Sequence, residues 1–72
     1  MYSKELVNSL KEKYPAGTRV RLIHTDDPYT ILQNGDCGCV RIVDDMGTIH
    51  VNWDCGTRFG LIPNEDIFEV IQ

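Results

Sequence analysis

Period-two alternation on both sides of Gly47 constrains this chain more than any other feature. If Asp44-Asp45-Met46-Gly47 is a four-residue hairpin loop with Gly47 at positive φ, the register is fixed outward from it. Val43 then lies opposite Thr48, Ile42 opposite Ile49, Val40 opposite Val51, and Gly38 opposite Trp53. The large residues share one face, on which Gly38 leaves room for the indole. The other face carries Cys39, Arg41, Val43, Thr48, His50 and Asn52. A slip of one residue would scatter this separation.

The next hairpin extends the same face. Asp54-Cys55-Gly56 suits a three-residue loop closed by a glycine in the left-handed region. It pairs Val51 with Phe59 and Ile49 with Leu61, while Asn52 faces Arg58 and His50 faces Gly60. Upstream, Val20 and Leu22 alternate with Arg19 and Arg21 to make a first strand. Downstream, Phe68 and Val70 point one way, and Ile67, Glu69 and Ile71 the other. A single 3₁₀ turn over Ile62–Asp66 separates this last strand from the one before.

At the other end of the chain the period is helical. Residues 4–14 place Leu6, Val7, Leu10 and Tyr14 on one stripe. Ser3 can cap this helix, Glu5 sits near its positive end, and Lys11 and Lys13 near its negative end. Pro15 and Gly17 stop it. The expected architecture is mainly β: a small SH3-like five-stranded barrel over 18–71 with one N-terminal amphipathic helix over 4–14, in a single domain spanning 1–72. Ile23, Ile67 and Ile71 point away from the core set, so they are the expected landing surface for the helix, or for a second copy.

Composition excludes several functions. The 72 residues include 7 Lys and Arg against 11 Asp and Glu, a net charge of -4. An acidic total argues against binding driven by a phosphate backbone. The longest apolar runs are pairs such as Leu22-Ile23, too short to cross a membrane. A chain this small buries only about 60–65% of its unfolded surface, leaving little core for a dry catalytic pocket. Three cysteines form an odd set, which points to reduced thiols in a cytoplasm rather than a secreted disulfide framework.

Candidate chemistry is sparse. Cys37, Cys39 and Cys55 together invite a metal or redox reading, since thiolates are zinc ligands. In the register above, however, Cys37 and His50 stand four residues apart along the sheet, about 13 Å, beyond the reach of one ion. Small half-buried thiols are the simpler account. His24 and His50 have no evident nucleophile beside them. Asp26-Asp27 and Asp44-Asp45 sit beside Pro or Gly, where aspartate serves turn formation. Trp53, opposite Gly38, reads as core. Arg19, Arg21, Arg41 and Arg58 occupy outward positions and could form a cationic stripe for nucleic acid, or simply a solvated face.

The stretches Tyr14-Pro15-Ala16-Gly17-Thr18-Arg19-Val20, Asp26-Asp27-Pro28-Tyr29, Gly47-Thr48-Ile49-His50-Val51-Asn52-Trp53-Asp54 and Gly60-Leu61-Ile62-Pro63, in that order, resemble a family of small bacterial and phage-associated proteins. That family is catalogued as a domain of unknown function, number 4314 of its series. The resemblance implies a barrel and a mobile-element or phage setting, and implies no activity. The family pattern more often has Thr, Ser or Asn where this chain has its cysteines. Any cysteine chemistry would then belong to this chain alone.

The Thr25–Asp36 loop is about twelve residues long, which in so small a domain marks it as functional or self-packed. The expected function is therefore a non-catalytic interaction module, without cofactor. It binds a protein or peptide through Asp26, Asp27, Tyr29 and Pro63, where the first loop and the 3₁₀ turn flank one groove. Nucleic-acid binding by the arginines and a metal or redox site at the cysteines are the alternatives. The expected state is a monomer or weak homodimer.

Overall fold

The computed structural model describes residues 2–71; Met1 and Gln72, the ends of the expected domain, lie outside the described residues. The chain runs as a helix α1 (Lys4–Lys13) followed by strands β1 (Arg19–His24), β2 (Cys37–Val43), β3 (Ile49–Trp53), β4 (Gly60–Leu61) and β5 (Ile67–Ile71). The strands form one antiparallel sheet in the order β4-β3-β2-β1-β5. Neighbours in sequence pair by hairpins, except that β5 returns to lie beside β1. The sheet is open: β4 and β5 pair on one side only.

Helix α1 begins where the sequence places it. Ser3 is extended, and its Oγ accepts a hydrogen bond from Leu6 N at 3.1 Å. Val7 and Leu10 are buried, whereas Leu6, on the same expected stripe, stays largely exposed. Tyr14 caps the C-terminus, its N–H donating to Leu10 O at 2.9 Å.

The helix does not land on Ile23, Ile67 and Ile71. It packs against β2, with Leu10 in the core, while Lys11 pairs with Asp45 in the β2–β3 turn at 2.7 Å. Tyr2 packs against the same core, and its ring lies against Gly47. The physical reason is that Leu10, half of the helix's buried pair with Val7, joins the core cluster to which β2 contributes Val40 and Val43. The isoleucines lie at the far edge, where Ile23 and Ile67 remain exposed.

The core consists of Val20, Leu22, Val40, Val43, Ile49, Val51, Trp53 and Leu61 from the sheet, closed by Leu10 and by Leu32 from the long loop. Gly38 pairs with Trp53 and Val40 with Val51, as expected. The steric reason for Gly38 differs from the expected one. A Cβ there would come within 2.7 Å of the Asn52 carbonyl oxygen and 2.8 Å of the Trp53 Cα, so the glycine admits the β3 backbone more than the indole.

Nearer the turn, the register departs from expectation. Ile42 pairs with His50, and Val43 with Ile49. The loop is shorter by one residue than the alternation suggests. Asp44 N donates to Thr48 O, and Gly47 N, with Gly47 at φ 88°, donates back to Asp44 O, both at 3.0 Å. A β-bulge between Val40 and Ile42 absorbs the difference. Val43 therefore turns inward at 3% exposure and Ile42 outward at 52%.

The second turn forms as expected, with Gly56 at φ 97° and Trp53 N donating to Thr57 O at 3.1 Å. The expected Val51–Phe59 and Asn52–Arg58 ladder positions are open. There the Phe59 carbonyl accepts from the Trp53 indole Nε1 at 2.8 Å instead, and the ladder resumes at His50–Gly60 and Ile49–Leu61.

Candidate functional site

The Thr25–Asp36 connection is held by its own polar side chains. Asp27 Oδ1 accepts from Tyr29 N at 2.9 Å, Thr30 Oγ1 from Leu32 N at 3.2 Å, and Asp36 Oδ2 from Gln33 N at 2.9 Å. These are local side-chain turns of the kind that Asp and Thr favour. Backbone bonds tie the loop's base to β1: Leu22 N donates to Asp36 O at 2.8 Å, and Gly35 N to Leu22 O at 2.7 Å. Leu32 anchors the middle in the core.

Across from this loop, Glu65 N and Asp66 N both donate to Ile62 O at 2.9 Å, so the break before β5 is one tight turn with mixed i+3 and i+4 bonding. Asp66 is the one buried polar or charged residue among the described core, at 8% exposure. Its Oδ2 accepts from Ile62 N at 2.8 Å, closing the turn, and its Oδ1 accepts from Thr25 Oγ1 at 2.7 Å. Sequence reading missed this residue. The signal available was an aspartate four positions after Ile62, placed to cap the turn that Pro63 begins.

Loop and turn enclose a groove of about 600 Å³, floored by Phe59, Gly60 and Ile62 and walled by Asp26, Asp27 and Glu65. A second hollow of about 330 Å³ adjoins it, lined by Tyr29, Thr30, Ile31, Thr57 and Arg58, with Asp27 and Phe59 common to both. Of the residues expected to bind a partner, Asp26 and Asp27 thus line the groove, and Tyr29 stands at the neighbouring hollow, 92% exposed. Pro63 belongs to the turn but not to the groove wall. Phe59 and Glu65 also line the groove, and Phe59 and Ile31 the hollow; the sequence reading named none of them for a partner.

The arginines are dispersed. Arg19 forks onto Asp54 at 2.8 and 2.7 Å, and its Nη1 lies 3.4 Å from Cys39 Sγ. This pairing raises the guanidinium pKa further and holds the Asp54 carboxyl below its ordinary value. Arg21 faces Glu69 at 3.3 Å. Arg41 lines a hollow with Lys11 and Tyr14 near the helix end, and Arg58 lies beside Tyr29. The structure therefore does not bring the four together as one stripe. Two are charge-paired, and the others sit in separate hollows.

Cys37 and Cys39 are half-buried free thiols on the outer face, and Cys55 is an exposed free thiol in the second turn. Among the described residues no group of three or more His, Cys, Asp or Glu side chains is arranged to hold a metal ion. Both imidazoles pair with carboxylates: His24 Nε2 with Asp26 Oδ1 and His50 Nε2 with Asp44 Oδ2, each at 2.8 Å. Asp44 also accepts from Met46 N at 2.9 Å and Thr48 N at 3.0 Å. The His50 bond, followed by those from Thr48 and Met46, holds the Asp44 carboxyl below its ordinary value. No helix among the described residues is long and apolar enough to cross a membrane.

A family model described as "Domain of unknown function (DUF4314)" matches residues 3–71. No curated protein matches the chain.

Proposed function

We propose, for a chain that belongs to the DUF4314 family, the role of a non-catalytic interaction module that binds a protein segment in the groove between the Thr25–Asp36 loop and the Ile62–Asp66 turn. One observation carries this reading. Tyr29 stands almost wholly in solvent on a loop that is pinned at its base, its middle and its tip, beside a groove with an apolar floor. A large aromatic held out by a pre-organised loop loses little entropy on binding, which is what a recognition surface requires.

The groove's charge narrows the class of partner. Asp26, Asp27 and Glu65 line it, and its lining includes no Lys or Arg. A segment carrying Lys or Arg beside an apolar residue suits this lining, whereas a phosphate backbone would be repelled. The strand order, the long first connection and the single turn before β5 support reading the sheet as an SH3-like barrel. Three free thiols suit a reducing, cytoplasmic setting.

The test is an amide NMR titration with a peptide selected by display against the immobilised chain. Shifts confined to Thr25–Ile31, Phe59, Gly60 and Ile62–Asp66 are expected. Shifts confined to the outer face of β1 and β2, around Arg19, Arg21, Cys37 and Cys39, would overturn the assignment.

A further inference from the structure

The two edges of the sheet are unlike. β4 is two residues long and runs directly into Ile62-Pro63, so it offers almost no free ladder and ends in a residue without an N–H. β5 is five residues long, pairs only with β1, and contains neither Pro nor Lys. Its single charge, Glu69, is turned to Arg21 on the neighbouring strand. Helix α1 packs against β2 and not against β5; beyond its end, the Tyr14 ring lies 5.5 Å from that of Phe68. Ile67, at 57% exposure, and Val70, at 43%, remain in solvent along it. A natural sheet protects such an edge by shortness, charge or proline, and of these β5 has only one central charge, already paired with Arg21.

The sequence of β5 suggests what covers it. Ile67-Phe68-Glu69-Val70-Ile71 is nearly symmetric about Glu69. A second copy laid antiparallel on a two-fold axis at Glu69 sets Ile67 against Ile71 and Phe68 against Val70. Each apolar residue then meets another on its own face, because directly opposed residues in an antiparallel pair share a face. We infer that β5 is a self-association edge, through which two copies join their sheets in a two-fold antiparallel pair centred on Glu69.

The same geometry sets the strength. The interface is one short ladder with its flanking side chains, the small class of contact, and the two Glu69 carboxylates meet at the axis. Each is drawn aside by its own Arg21, which permits the approach without making it favourable. The dimer is therefore weak and concentration-dependent, and it is tightened by removing the central charge.

Sedimentation velocity on the full chain, from tens of micromolar to about a millimolar, reads the association directly. A monomer–dimer equilibrium is expected. E69Q is expected to tighten it several-fold, and I67K to weaken it at least tenfold. In a mixed sample of labelled and unlabelled protein, isotope-filtered NOEs are expected between Ile67 methyls of one copy and Ile71 methyls of the other. This measurement needs no variant and stands even where I67K fails to fold. A monomer throughout the range, a dimer indifferent to both substitutions, or a dimer without the Ile67–Ile71 NOE would each overturn the proposal.

Discussion

Thr25 Oγ1 donates to the buried Asp66 carboxylate at 2.7 Å, joining the long first loop to the turn before β5. The other carboxylate oxygen of Asp66 takes the Ile62 N–H. Both walls of the candidate groove thus depend on one side chain. D66A leaves the part-buried Ile62 N–H and Thr25 hydroxyl without their acceptor, so unfolding free energy should fall by about 2–3 kcal/mol in urea denaturation. T25V, which removes the bond to Asp66 and a longer one from the exposed Asp27 N at 3.3 Å but leaves the Ile62–Asp66 turn closed, should cost about 1 kcal/mol. Equal costs for the two variants would mean that the turn does not rely on Asp66.

Close approach of two strands is tested at Gly38. A Cβ there meets the β3 backbone, which cannot move as a side-chain tip can. G38A should lose about 1–3 kcal/mol by overpacking, with Trp53 fluorescence shifted to the red as the indole is pushed outward. An alanine variant as stable as the parent would show that β3 has room to give.

The acid limb of stability should reflect Asp44. Its carboxyl is held below the ordinary value of 3.8, chiefly by His50. A carboxyl depressed in the folded state contributes stability that is fully present above its unfolded pKa and lost as pH falls through the folded one. Melting temperature should therefore drop on acidification below about pH 4. In D44N that drop should be shallower, with stability already lower at neutral pH. The two proteins' melting curves, taken from pH 2 to 7, make the comparison.

Tyr29 separates binding from folding. With its side chain in solvent, Y29A should leave stability within about 0.5 kcal/mol. Binding of a groove-selected peptide should fall by about 2 kcal/mol or more, the scale of an aromatic anchor. Calorimetry on the same variant gives both quantities.

Thiol accessibility orders the cysteines. Cys55 is exposed in a turn, while Cys37 and Cys39 are half-buried on strand β2. A chromogenic thiol reagent applied to the native chain should modify Cys55 first and the strand pair more slowly. Mass spectrometry of partly modified protein identifies the order.

Much of the fold was legible because its signals are local. Ser3, Glu5 and the two lysines mark the helix, and Gly38 with Trp53 fixes the outer register of β2 and β3. The inner register was not legible, for a physical reason. Ile42 and Val43 are both apolar, so alternation alone cannot choose which of them turns inward. That choice is made by Asp44, whose carboxylate takes the N–H groups of Met46 and Thr48 and so shortens the loop. The helix's landing place was misread because exposed isoleucines look like an unfilled surface, and nothing local in the sequence says which strand the helix meets. At the site, Asp26, Asp27 and Tyr29 stood out as loop residues. Asp66 did not, because a buried carboxylate is recognisable only through partners 4 and 41 positions away.

The bulge at Arg41 works as an expansion joint. It takes up the one-residue mismatch between the Asp44 turn and the Gly38–Trp53 end of the hairpin. Deleting Arg41 should therefore leave a regular ladder with the turn unchanged and Val40 and Val43 still inward, whereas flattening the bulge in the intact chain would open the turn to four residues and bring Ile42 inward. The bulge, and not the turn that Tyr2 and Lys11 cover, is thus the place where this hairpin can lose a residue and keep its register.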